Sequence, residues 1–212
     1  ILFVLLPFGV RGDSADTCSA GEGAPSIASY FQEYPKAEKL ISQAGSLHCL
    51  VYHSDSTNKD IAVEMPCLCA RVSFRGMPQS VSSLYQYSPN ETTLLSGISS
   101  ASTKSTDKAY KEHNEIIVQW VTDGKVHKET IRILYADYRS CAVLKSAFLG
   151  TMLWVQVDLL TKEDQMPYLC TLTYELDAKD NRRMVYNWKE CPGRKSYTQN
   201  IHRPNENLRN RK

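Results

Sequence analysis

The spacing of hydrophobic positions changes along the chain from helical to alternating and back. Ile27, Tyr30, Phe31 and Tyr34 fall on one helical face, which predicts a helix from Ser26 onward. Pro35 interrupts that face but suits the first position of a second short turn carrying Ala37, Leu40 and Ile41, and Gly45 ends it. Residues 47–52 and 67–74 then read as strands and 81–87 as a weaker one; 94–104, rich in Ser, Thr and Gly, is ambiguous. Residues 115–122 and 128–136 form a hairpin around Asp123-Gly124, a dipeptide that accepts the positive φ of tight turns. Residues 141–148 and 152–160 form a second hairpin, turning near Gly150. Helical spacing returns with Leu169, Leu172, Thr173 and Leu176 on one face behind Pro167, and 183–188 is a last strand-like piece.

One helix, seven or eight strands in antiparallel order and one helix, without βαβ alternation, exclude a doubly wound fold. The fold class is mainly β, an up-and-down barrel or a sandwich. With 212 residues the chain suits one domain. Residues 1–12 read as a secretory signal peptide remnant, because the apolar run is too short to span a bilayer and small residues follow it. A cut after Gly12 would destroy the Arg11-Gly12-Asp13 tripeptide. Residues 13–25 form a small, polar, flexible arm, 26–192 the folded domain, and 193–212 a disordered tail.

Charge and cysteine content refine this picture. The net charge of +2 hides an asymmetry: the tail holds Arg194, Lys195, Arg203, Arg209, Arg211 and Lys212 against Glu206 alone, so the rest of the chain is net acidic. Secretion to the extracellular space makes the seven cysteines a disulfide framework. Seven cannot all pair within one chain, so a monomer keeps one unpaired or a dimer forms through it. Cys67-Leu68-Cys69, read as part of a strand, puts both thiols on one face, as disulfide partners rather than a metal site. Asn90-Glu91-Thr92 is an N-glycosylation sequon in a polar stretch suited to a surface loop.

Several function classes lack their residues. His48, His53, His113, His127 and His202 are scattered, with no HExxH, GxSxG, P-loop or GxGxxG pattern, so neither an enzyme nor a metal or other cofactor is expected. The basic tail lacks interleaved aromatics apart from Tyr197. It reads as a solvated tail or one drawn to anionic cell-surface glycans, not as a nucleic-acid site. No internal run of about 20 apolar residues offers a membrane span.

Ile133-Leu134-Tyr135-Ala136-Asp137, Cys141-Ala142-Val143-Leu144, Leu153-Trp154-Val155, Pro167-Tyr168-Leu169-Cys170 and Cys191 together resemble the tick salivary lipocalins of the histamine-binding-protein family. The resemblance spans nearly all of the chain after residue 12. It implies an eight-stranded antiparallel up-and-down lipocalin-type barrel between an N-terminal and a C-terminal helix. The general lipocalin Gly-x-Trp signature is missing from the first strand. By family position, Cys69 would pair with Cys191 and Cys141 with Cys170, leaving Cys49 to pair with Cys18 or Cys67.

The family's amine-binding pattern carries an acid after the first cysteine and a Glu before Leu-Trp. Here Ala142 and Met152 stand at those positions. A buried ammonium without a carboxylate costs several kcal/mol, so the change favours an apolar ligand such as a sterol, fatty acid or eicosanoid. Strand alternation turns Ala142, Leu144, Met152, Trp154 and Gln156 inward, with Trp120 and Tyr135 as further wall candidates. The resemblance thus implies a secreted salivary protein that sequesters a small host mediator or lipid and dampens haemostatic, inflammatory or immune defence. Two alternatives stay open. One is an immunomodulatory module that acts on host immune proteins or cells with a filled barrel. The other is histamine or serotonin binding through different acids, among them Glu64, Asp137 and Asp158.

Overall fold

The computed structural model describes residues 35–43, 45–54, 64–75, 80–122, 124–163, 165–179 and 181–194. The helix expected from Ser26, Cys18 and the basic tail lie outside them. The described chain runs α1 (Ala37–Ile41), β1 (Leu47–His53), β2 (Cys69–Arg75), β3 (Ser80–Tyr87), β4 (Leu95–Lys104), β5 (Glu115–Thr122), β6 (Lys125–Ala136), β7 (Cys141–Ser146), β8 (Gly150–Gln156), a π-helical turn (Leu159–Glu163), α2 (Tyr168–Ala178), β9 (Arg183–Met184) and a 3-10 turn (Cys191–Gly193).

Each of β2 to β7 pairs antiparallel with the next. β8 pairs with β1, and β1 returns to β2, so eight strands close into a barrel without open edges. The ambiguous 94–104 segment is a ten-residue strand. Small Ser and Ala side chains sacrifice little there, because Leu95–Ser102 pair with β3 and Ser99–Lys104 with β5. β8 stops at Gln156 rather than 160, and the piece at 183–188 shrinks to two residues pairing with the end of β1.

Two packing layers follow. Outside the barrel, Cys170, Tyr174 and Ala178 of α2 bury against Val143, Leu153 and Val155 of β7 and β8. The face expected from Leu172 and Leu176 is therefore the wrong one: both are exposed, as is Tyr168. The Cys141–Cys170 bond and the Tyr174 hydroxyl, donating to the Asn181 carbonyl at 3.0 Å, fix the buried face instead. Inside, α1 lays Ala37 and Ile41 against Val81, Ala101, Ile116 and Ile133 and plugs one end. Tyr138, in the β6–β7 turn at φ 59°, holds α1 in place. Its hydroxyl accepts the Lys36 N–H at 2.6 Å, its ring lies 4.3 Å below Lys39 Nζ, and its carbonyl accepts from the Gln43 side chain.

The cysteine pairing corrects one expectation. Cys69 does not bond Cys191; it bonds Cys49, and Cys67 bonds Cys191. The β1–β2 register sets Cys49 directly opposite Cys69, with their Cα atoms 3.9 Å apart. Cys67 precedes the strand rather than lying on it. Its left-handed backbone, φ 58°, and its N–H bond to the Val185 carbonyl at 3.1 Å turn it toward the C-terminal segment that carries Cys191. Cys49 thus pairs with neither Cys18 nor Cys67.

Candidate functional site

Directly opposed residues in a sheet share a face, so the register maps the barrel's inner surface. Across β1, β8, β7 and β6, one level reads Leu50, Trp154, Ala142, Ala136, and the next reads His53, Met152, Leu144, Ile133. Leu50 and Met152 cluster with Leu68, Leu149 and Val185, with Tyr85, Tyr87, Ile131, Leu144 and Trp154 packed around them. At these two levels the wall is apolar apart from the buried His53 imidazole. The facing wall carries oxygens: Ser83, Tyr85 and Tyr87 of β3 pair with Ser99, Gly97 and Leu95 of β4. Burial, and then neighbouring Tyr87, push the Tyr85 hydroxyl pKa upward, so the phenol stays neutral.

At the plugged end His48 lies opposite Gln156 and Ala70. Burial lowers its pKa more than the Ser46 and Arg139 backbone and Asp137 raise it, so the imidazole is neutral near pH 7. At the other end the β5–β6 hairpin projects past β7, which pairs only from Arg132 onward. There Trp120 stacks on His127, centroids 5.3 Å apart, and meets Phe148 at 6.2 Å. Beside them Glu129, on the same inner row, accepts the Phe148 N–H at 2.8 Å.

The register thus places Ala142, Leu144, Met152, Trp154 and Gln156 on the inner face, and Trp120 on the inner row at the mouth. Tyr135 is not a pocket residue. A register shift between Ile133 and Tyr135 flips it outward, where it is buried in the layer under α2. Of the acids offered as substitutes, Glu64 and Asp158 are exposed. Asp137 is engaged at its own turn, accepting the N–H groups of Arg139, Ser140 and Cys141 at 2.7–3.0 Å.

Leu50, Tyr85, Tyr87, His48 and Glu129 escaped the sequence reading. Their only signal was cross-strand pairing. One trace of it is Gly97, the residue that makes room for the Tyr85 ring. Among the described residues no cluster of His, Cys, Asp or Glu is arranged to hold a metal ion, and no helix is long and apolar enough to cross a membrane.

The fold has solved counterparts. AM182, solved as a serotonin complex, is 18% identical, with 72% of this chain and 90% of that one covered at a TM-score of 0.51. Insecticyanin from the tobacco hornworm Manduca sexta is 14% identical, with 74% and 86% covered at a TM-score of 0.50. A search of curated proteins gives no match. Family and fold are of ligand-binding, lipocalin type rather than enzymatic. The model of the family described as tick histamine binding protein matches residues 28–192, and the chain belongs to that family.

Proposed function

We propose that the chain is a secreted protein that takes a small, neutral, largely apolar ligand into its barrel. By removing a host mediator or lipid from solution it would dampen host defence. Sequestration has no turnover, so the protein acts in proportion to its abundance. The observation that carries this reading is the inner wall of Leu50, Trp154, Ala142, Leu144 and Met152. Where the family pattern carries two acids, this wall is apolar, and an ammonium there would lose its hydration without gaining a counter-charge. Met152 adds an adaptable, polarizable surface.

Native mass spectrometry of the recombinant chain, followed by titration with sterols, fatty acids and eicosanoids, tests the reading. Co-purified or added lipid bound one to one supports it; a barrel that takes up none of them overturns it. Calorimetry with histamine and serotonin is expected to show no submicromolar binding.

One observation favours a second reading, an amine held at the mouth. Glu129 offers a carboxylate there beside the aromatic faces of Trp120 and Phe148, a combination that attracts ammonium ions. Submicromolar amine affinity that Glu129→Gln abolishes would select this reading over the first.

A further inference from the structure

Trp154 carries an unmatched donor. Its indole Nε1 is buried and finds no hydrogen-bond acceptor among the described residues. An indole nitrogen can only donate, and buried Trp N–H groups usually have a partner. The residues in line with it on β7 and β6 are Ala142 and Ala136. Side-chain bulk at that level therefore comes from the indole and Leu50. Packing alone does not explain why this position is Trp rather than an all-carbon ring.

We propose that the Trp154 N–H donates to an oxygen of the bound ligand, so that the barrel selects a neutral apolar molecule bearing an ester, ketone or hydroxyl over a plain hydrocarbon. This rests on the reading of an apolar ligand in the barrel and adds the polar feature that fixes its orientation. A charged acceptor fits poorly. His48, one inner row from Trp154 on β1, is held neutral by burial, and no Lys or Arg stands among the inner-face residues of β1, β7 and β8 to offset the desolvation of a carboxylate at the indole. The nitrogen is shut off from solvent, so ligand entry must shift its surroundings. Met65 and Met152 belong to the same cluster, and unbranched thioethers change rotamer readily.

The test uses the full chain and three probes built on the same twelve-carbon chain: methyl laurate, lauryl alcohol and dodecane. The ester and alcohol are expected to bind about tenfold more tightly than dodecane, the worth of one hydrogen bond. In Trp154→Phe that preference of the ester and alcohol over dodecane should disappear. Should the variant fold poorly, the wild-type chain still decides. Its three tryptophans give three indole peaks in proton–nitrogen correlation spectra. Methyl laurate should move one peak strongly downfield and dodecane should not. Equal affinities, a preference that survives Trp154→Phe, or an unmoved indole peak would overturn this inference and leave the apolar-ligand reading standing. Binding of none of the three probes would overturn both.

Discussion

The Tyr85 ring occupies the space above Gly97, where a Cβ would fall 2.2 Å from Tyr85 Oη and 2.3 Å from Cζ. The two residues face each other across β3 and β4 on the inner side of the barrel. Gly97 is thus the reason an aromatic fits flat against this wall. Gly97→Ala should cost about 1–3 kcal/mol, as overpacking does, measured by urea denaturation. In a Tyr85→Ala background the same substitution should cost almost nothing, because the ring it displaces is gone. Additive losses in the double variant would show that the ring does not depend on the glycine.

The disulfide pattern makes a second prediction. Cys67–Cys191 spans 124 residues, against 20 for Cys49–Cys69 and 29 for Cys141–Cys170. In the chain-entropy model the long loop is worth about 5 kcal/mol and the shorter ones about 3.5. Replacing Cys67 and Cys191 together by Ser should therefore lower the Tm most of the three pairwise removals. The pairing itself is checked by chymotryptic mapping of the unreduced protein. Cleavage after Leu68 separates Cys67 from Cys69, and a peptide linking Cys69 to Cys191 would refute the connectivity.

These pairings also show what a single sequence reveals. Alternation exposed the strands, and Asp123-Gly124 exposed the tightest hairpin, because both are local signals. Cys67 and Cys69 could not be told apart by spacing. What separates them is one left-handed residue and the point where β2 begins. Tyr135 failed for a related reason, since a register shift inverts strand alternation and has no local signature. Leu172 and Leu176 satisfied helical periodicity, yet the disulfided, Tyr174-bearing face won the core. The inner wall was legible on β7 and β8, where the family motif lies. It was illegible on β3 and β4, whose Ser-rich alternation signals nothing until the strands are paired.

Acid should unfold the protein in two stages. His48 has its pKa lowered by burial, so its neutral form stabilises the fold above about 6.5, the ordinary histidine value. That contribution is lost as pH falls from there through the lower folded value. For Asp137 and Asp177 burial acts to raise the pKa and is outweighed. At Asp137 the Ser140 hydroxyl and the N–H groups of Cys141, Arg139 and Ser140 outweigh it; at Asp177 the Thr151 hydroxyl and Lys145 do. Both pKa values are depressed, so their stabilisation is full above about pH 4 and disappears below it. Urea titrations across pH should show the first stage vanish in His48→Gln and the second shrink in Asp137→Asn. An unchanged profile in His48→Gln would refute the assignment.

Helix α2 is tied to the barrel by Tyr174 as well as by the Cys141–Cys170 bond. Tyr174 is fully buried, and its hydroxyl donates to the Asn181 carbonyl. Burial drives its pKa strongly upward, which keeps that donor proton in place at any physiological pH. Tyr174→Phe should cost about 1 kcal/mol, one hydrogen bond. Tyr174→Ala should cost about 3–5 kcal/mol through the cavity it leaves. Because the residue lies outside the barrel, Tyr174→Phe should leave ligand affinity within about twofold. A larger change would show that the outer layer controls the inner wall.

Restoring the missing acid tests why the inner wall is apolar. Met152 is almost fully buried between His53 on β1 and Leu144 on β7. A carboxylate placed there in Met152→Glu meets no Lys or Arg among the inner-face residues of β1, β7 and β8, only the buried His53 imidazole opposite it. At neutral pH it should destabilise the fold by about 3 kcal/mol or more, the cost of an uncompensated buried charge. The loss should ease as pH falls, because protonation removes the charge and the glutamate pKa must rise on burial. Histamine or serotonin would supply the absent cation. Saturating amine should therefore raise the Tm of Met152→Glu while leaving the wild-type Tm unchanged, by the linkage between binding and folding. An amine-induced rise of equal size in the wild-type chain would mean that a counter-charge already serves the barrel, and Glu129 at the mouth would be the first residue to replace.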